Sequence, residues 1–303
     1  KDRKILSIQK IFIWKPMKLL KYFIQFIIIM ILFLIFKILG YENASNLGSK
    51  IGRLFGKLIK SDKIIKKNIN IIKENSNYKE DNEKIINDVF SNYGRILSEY
   101  VYLNKFKKGS LNKFVKIIGS KYLEDIKTNN KKVVFISGHF NNFELMAMFI
   151  DAAGINLSAI YRPLNNVFLN KIMEKIRIKH ICKNQIKKGK RGTRELINFL
   201  NKNYSVALMI DQRVSEGIKS NFFGKPAFTT TIPAQIVKKY NCEIVPVYIE
   251  RFNKINFNLV IDKPVKFDKE LNIEEITFKL NQILEKMILK NPSQWILTHN
   301  RWK

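Results

Sequence analysis

The chain has 303 residues, 46% of them apolar, enough for a substantial core and incompatible with large-scale disorder. Fifty-five Lys and Arg stand against 25 Asp and Glu, a net charge of +30, and a field of that sign selects anionic partners: nucleic acid, anionic lipid head groups, phosphorylated sugars or an acidic protein. Much of the excess is Lys, in a chain also rich in Ile and Asn, a bias that an AT-rich genome produces as well.

The first 21 residues are basic and mixed. From Tyr22 to Phe36 the chain then runs without a charge, as YFIQFIIIMILFLIF, between Lys21 and Lys37. That run is shorter than the ~20 residues that span a bilayer. Lysines at its ends snorkel, however, so Met17 to Leu39 is expected to be a membrane-embedded anchor. A buried core helix is the alternative. A signal peptide fits poorly, because no small-residue cleavage site follows. Lys10, Lys15, Lys18 and Lys21 on one side and Lys50, Arg53, Lys57 and Lys60 on the other leave the orientation undecided by positive charge. Between Leu47 and Ile65, apolar Ile51, Leu54, Phe55, Leu58 and Ile59 recur at helical spacing among basic residues. Such a helix lies on an anionic membrane surface or, more ordinarily, packs against the core.

Residues 61–80 read as helix rather than linker, and residues 82–106 carry a helical period through Ile85, Ile86, Val89, Phe90, Tyr93, Ile96 and Leu97. At Lys132 the pattern changes. Val133 to Ser137 is a short apolar run closed by Gly138, the signature of a buried strand. A helix is expected from about Asn142 to Ala152, a strand over Leu157 to Tyr161, a helix over Val167 to Ile178 and a third strand over Val206 to Ile210. Pro233 suits the first turn of a helix running to Tyr240. Ile244 to Glu250 and Phe257 to Asp262 read as a strand hairpin, and Glu274 to Leu289 as a helix. Alternating strands and helices predict an α/β fold with a mixed central sheet flanked by helices. The domain division is residues 1–40 as basic N-terminus and anchor and residues 41–303 as one catalytic domain. Cys182 and Cys242 match no metal spacing and support no disulfide framework, which points to a reducing compartment.

Ligands of such sheets bind beyond the carboxyl ends of the strands. There, after the first strand, lies Gly138-His139-Phe140-Asn141-Asn142-Phe143-Glu144. With His139 in the turn, a carboxylate at Glu144 is placed to hold the imidazole tautomer, and the ring to take a proton from an alcohol. The spacing by itself also occurs by chance, and a lone His is more often structural. Each other candidate has two readings. Arg162 binds phosphate or caps the sheet edge. Arg177 is functional or lies on a solvated helix face. Asp211 is a site residue or starts a turn. Lys183, Lys187, Lys188, Lys190, Arg191 and Arg194 bind anions or are a solvated run. Phe222-Phe223-Gly224 lines an acyl route or packs a loop. Trp295, Arg301 and Trp302 sit at a membrane interface or pack the C-terminus.

GHFNNFE resembles the His-x4-Asp/Glu motif of the lipid A late (lauroyl/myristoyl) acyltransferases. The likeness continues in order through Tyr161-Arg162-Pro163, Arg177, Asp211-Gln212-Arg213, Phe222-Phe223-Gly224, Thr229 to Thr231 and the terminal QWILTHNRWK. It departs at Asn141, where Gly is common, and at Phe143, where Trp is common. The resemblance implies a glycerolipid-acyltransferase-like fold and a catalytic dyad of His139 and Glu144. Arg177 and Asp211 are implied to be required, and Arg162 is placed with them as a substrate-binding candidate. It implies direct transfer from an acyl carrier protein to a lipid A precursor, without metal or cofactor. It further implies an anionic membrane surface as partner, at a bacterial inner membrane with the catalytic domain facing the cytoplasm. The alternatives are an acyltransferase for another glycolipid or a phospholipid, and a basic nucleic-acid-binding protein. The latter rests on charge alone, carries no recognised motif and conflicts with the Tyr22–Phe36 run, so no nucleic-acid partner is expected.

Overall fold

The computed structural model describes residues 2–303, with side chains from Pro16 onward apart from Lys190. The side chains of Lys10, Lys15 and Lys190, counted above among the basic residues, lie outside the described ones. Four helices come first: α1 (Asp2–Leu39), α2 (Tyr41–Ile59), α3 (Lys63–Glu74) and α4 (Asn82–Glu99). A 3-10 turn at Tyr100–Tyr102 leads to the short α5 (Leu103–Lys107). Then follow β1 (Val115–Ile118), α6 (Ser120–Thr128), β2 (Val133–Ser137), α7 (Glu144–Ala152), β3 (Leu157–Tyr161) and α8 (Val167–Ile176). A π-turn at Arg177–Ile181 precedes β4 (Asn184–Lys187), α9 (Lys190–Asn201), β5 (Ser205–Met209), β6 (Ile218–Phe222) and β7 (Lys225–Thr229). The chain closes with α10 (Ile232–Tyr240), β8 (Glu243–Phe252), β9 (Asn256–Ile261), α11 (Ile273–Lys290) and a 3-10 turn at Pro292–Gln294.

Seven strands form one sheet in the order β1-β9-β8-β2-β5-β3-β4. It is mixed: β8 and β9 pair antiparallel as a hairpin, while β2 pairs parallel with both β8 and β5. This is the expected architecture, and the physical reason is visible in β2. All five of its residues are buried, as a strand covered on both faces requires. Local signals close the helices around it. Asn272 and Glu275 form a reciprocal capping box on α11, Asp81 caps α4, and the first turn of α10 contains Pro233.

Several elements escaped the pattern reading. The edge strands β1 and β4 are four residues each and alternate or mix exposed positions, so neither shows a continuous apolar run. Most of the Lys183–Arg194 basic tract is not free chain but β4 and the start of α9. Phe223 and Gly224, both at positive φ, are the two-residue turn of the separate β6–β7 hairpin. Phe222 is buried against Trp295 and Trp302. Trp295 and Arg301 are fully buried too, so the C-terminus is core packing and not a membrane-interface belt.

α2 overturns the ordinary reading of its apolar stripe. Its buried residues are Tyr41, Ala44, Ser45, Gly48, Ser49 and Gly56. A Cβ on Gly48 or Gly52 would lie 2.3 Å from Gly94 O or 2.1 Å from Phe90 O on α4. Glycine is therefore required for α2 and α4 to approach so closely; Leu54, Phe55, Leu58 and Ile59 face outward, while Leu47 and Ile51 pack partly against the core. In α1, Pro16–Leu39 is a 24-residue apolar segment whose most apolar stretch has a mean hydropathy of 2.6 and is only 6% buried. At 1.5 Å per residue it is about 36 Å long, against a hydrocarbon core of ~30 Å. Length and composition make it a candidate membrane anchor. One side touches the domain: Phe23 and Phe26 pack on Phe168 of α8, Asn166 donates to Tyr22 O, and Phe36 is buried.

Candidate active site

β2 and β5 lie side by side with Ser137 opposite Met209. His139 and Asp211 each stand two residues beyond those partners, so the sheet register delivers both to the same rim. Asp211 Oδ1 lies 2.8 Å from His139 Nδ1. Asp211 Oδ2 accepts the His139 backbone N–H at 2.7 Å and the Trp295 indole N–H at 2.9 Å. An ionised Asp211 is acceptor-only, so the neutral ring carries its proton on Nδ1 and keeps Nε2 as the basic nitrogen. Gly138 lets the turn form: a Cβ there would meet Phe140 at 3.0 Å and Asp211 Oδ2 at 3.2 Å.

The turn is clamped from the C-terminal segment. Asn141 sits at φ 42°, the left-handed region that Gly also tolerates, which accounts for its standing where the related motif commonly has Gly. Its backbone N–H donates to Gln294 O at 3.0 Å and its side chain donates to Ile249 O at 2.9 Å and to Gln294. Asn142 donates to Glu99 Oε2 at 3.2 Å, and Glu99 is buried and paired with both terminal nitrogens of Arg251.

Glu144 does not occupy the place expected of it. The carboxylate that hydrogen-bonds His139 is Asp211. Glu144, in the first turn of α7, directs Oε1 to three donors: Arg177 Nε at 2.8 Å, Arg177 Nη2 at 2.6 Å and Tyr100 Oη at 2.7 Å. The five-residue offset from His139 turns Glu144 toward the π-turn that carries Arg177. Arg177 is therefore buried and paired, not on a solvated face. A π-bulge at this point is a common device for aiming a functional side chain. Tyr100 had no sequence signal. It is 44 residues away, in the 3-10 turn between α4 and α5, and only the packing of α5 against α7 brings it in.

These groups border a cavity of about 450 Å³, lined by His139, Phe143, Glu144, Arg177, Met209 and Gln212, with Arg162, Lys188 and Arg213 among its basic residues. The His139 side chain is 21% exposed, so its ring reaches the cavity while Asp211 is sealed beneath it. Asp211, Arg177 and Arg162 thus gather with His139 and Glu144. His299 does not join them as a base: its Nε2 accepts the Arg213 backbone N–H at 2.9 Å.

Burial draws the His139 pKa down, but the Asp211 charge and hydrogen bond, with Glu144 adding to them, outweigh it and hold the imidazole above its ordinary value. Burial pushes Asp211 up, yet the facing His139 and the donors around the carboxylate keep it below the ordinary range. Desolvation opposes the Arg177 charge, and Glu144 more than restores it. Burial, reinforced by the Glu144 charge, pushes the Tyr100 hydroxyl well up, so it stays protonated as a donor.

Fold and site together define an α/β enzyme with a carboxylate-backed histidine at the edge of its sheet, able to exchange a proton with a bound substrate. The chain belongs to the bacterial lipid A biosynthesis acyltransferase family, whose sequence model it matches over residues 12–303. It is 22% identical over 270 residues to the lipid A biosynthesis palmitoleoyltransferase of Escherichia coli (strain K12), covering 88% of this chain and 86% of that protein. The same identity and coverage relate it to the lipid A biosynthesis acyltransferase of Shigella flexneri.

Proposed function

We propose that this protein transfers a fatty acyl group from an acyl carrier protein thioester to a hydroxyl of a lipid A precursor, with His139 as general base. The observation that carries the reading is the His139–Asp211 pair beneath an open cavity. Nε2 takes the proton of the acceptor hydroxyl as its oxygen attacks the thioester carbonyl. The C–O bond forms, the C–S bond breaks, and the proton passes from His139 to the departing thiolate, so no acyl-enzyme is formed. Asp211 holds the tautomer and steadies the imidazolium between those two transfers. Glu144 contributes its charge to His139 and fixes Arg177, whose guanidinium borders the reacting centre. Arg162 and Lys188 offer cations for acceptor phosphates. The basic surface suits an acidic carrier protein, and the apolar length of α1 supports reading the domain as held at an inner membrane, where use of that donor calls for the cytoplasmic face.

The test is transfer of a labelled acyl chain from its carrier-protein thioester to a lipid A precursor, followed by mass measurement of the product. Acceptor mass should rise by one acyl chain with wild-type protein and hardly at all with folded His139→Ala, a loss of roughly 10²–10⁴-fold. Near-normal turnover by that variant would remove His139 from the mechanism. Equal transfer from a coenzyme A thioester would remove the carrier protein.

A further inference from the structure

We propose that α2 is a second membrane contact, an interfacial helix that lays Leu54, Phe55, Leu58 and Ile59 into an anionic bilayer surface. This rests on α1 being a membrane anchor, as proposed above. The side chains are 71%, 50%, 81% and 83% exposed in that order, an arrangement that isolated surface residues do not produce. They fall at i, i+1, i+4 and i+5 and so form one stripe. The stripe points outward for a structural reason: Gly48, Gly52 and Gly56 occupy the face against α4 and leave no room there for a larger side chain.

Charge identifies the occupant. Lys50, Lys60, Lys63 and Lys67 are exposed around and just beyond the stripe. Arg53 and Lys57 are partly engaged by Asp88 and Glu83. An apolar stripe bordered by lysines matches the boundary between acyl chains and anionic head groups, where the side chains gain apolar burial and the ammonium groups meet phosphate. Continuity supports it: only Gly40 separates α2 from the exposed apolar length of α1. A helix that enters a bilayer and a helix that lies along its surface, joined by one residue, together restrain the tilt of the domain.

Cys182 and Cys242 are both buried, so a new surface cysteine in the full-length chain can be labelled selectively. Leu58→Cys carrying an environment-sensitive fluorophore is compared with exposed Lys239→Cys on α10, which lies by Lys132 at the amino end of the central strand β2. The protein is placed in vesicles of 70% phosphatidylethanolamine and 30% phosphatidylglycerol. The label at 58 should be quenched at least two-fold more than that at 239 by shallow doxyl lipid, and less by aqueous iodide. The difference should shrink in wholly zwitterionic vesicles. Equal iodide quenching at the two sites, with the protein still retained by the vesicles, would overturn the α2 contact while leaving α1 intact. Loss of retention would instead remove the anchor on which it rests. Shielding that arises in detergent and grows with protein concentration would assign the stripe to a second copy, and shielding that requires the carrier protein would assign it there. Either result overturns a lipid contact.

Discussion

Asp211 is the residue on which the proposed mechanism turns, because one buried carboxylate orients His139 through two bonds and is itself oriented by Trp295. His139 acts as a base only when neutral, and its pKa lies above the ordinary value of ~6.5. Activity should therefore rise with pH through a point above that value. In Asp211→Asn the charge that raises the pKa is gone, so kcat should fall while the acid limb of kcat/KM moves to lower pH; an unmoved limb would deny Asp211 its electrostatic part. The same shifts have stability consequences of opposite pH sense. The His139 contribution is complete below its unfolded pKa and is lost as pH rises through the folded one. The Asp211 contribution is present above its unfolded pKa of ~3.9 and is lost as pH falls through the folded value. Trp295→Phe keeps an aromatic ring, though a smaller one, and removes the donor. It should lower kcat with little change in KM and shift the same pH limb, whereas a packing role alone would lower only Tm. Glu144→Ala leaves the buried Arg177 guanidinium unpaired, so a loss of about 3–5 kcal/mol in stability should accompany its loss of activity in denaturant titration.

At the scale of elements, two local irregularities do the positioning. The π-turn after α8 takes Arg177 off the solvated helix face that pattern alone left open and sends it to Glu144. The glycine stripe of α2 does the converse, burying a face without side chains and exposing one that has them. Gly52→Ala tests the second: its Cβ would lie 2.1 Å from Phe90 O. The helices must part, and stability should fall by about 1–3 kcal/mol, as overpacking does. The change is read as a lower denaturant midpoint. Wild-type stability in Gly52→Ala would show that the α2–α4 contact is looser than drawn.

The whole molecule joins a helical N-terminal layer to the sheet through a buried polar network. Ser45 of α2 and Asn142 of the His139 turn both donate to Glu99 of α4, which pairs with Arg251 of β8. Arg251→Leu leaves Glu99 buried and unpaired and should cost about 3–5 kcal/mol, with a parallel loss of activity as the turn loosens. Equal stability with lost activity would separate the network's two roles. On the same scale, α1 fastens to α8, and α8 runs into the cavity wall at Arg177. Full-length protein should accordingly stay with membranes through a high-salt wash and leave them only in detergent. Recovery in the salt wash would mean that charge, not α1, holds it there.

Apolar periodicity alone determined β2, α7, β3, α8, β5, α10, β8, β9 and α11 in their order, because a strand buried on both faces cannot be built without a continuous apolar run, but it did not find β4, α9, β6 or β7. It likewise marked α1, and strand-end placement with the ordered motifs picked out His139, Arg162, Arg177 and Asp211. The tertiary structure decided which carboxylate meets the imidazole. Asp211 reaches it because β2 and β5 are neighbours in register, a fact of sheet order that no local spacing encodes. Tyr100, the Glu99–Arg251 pair and the bond from Trp295 to Asp211 are invisible to pattern for the same reason: each meets its partner across elements distant in sequence. The stripe of α2 stayed open between membrane surface and core because helical periodicity shows that a face is apolar but not which face is covered, and here glycines claimed the covered one.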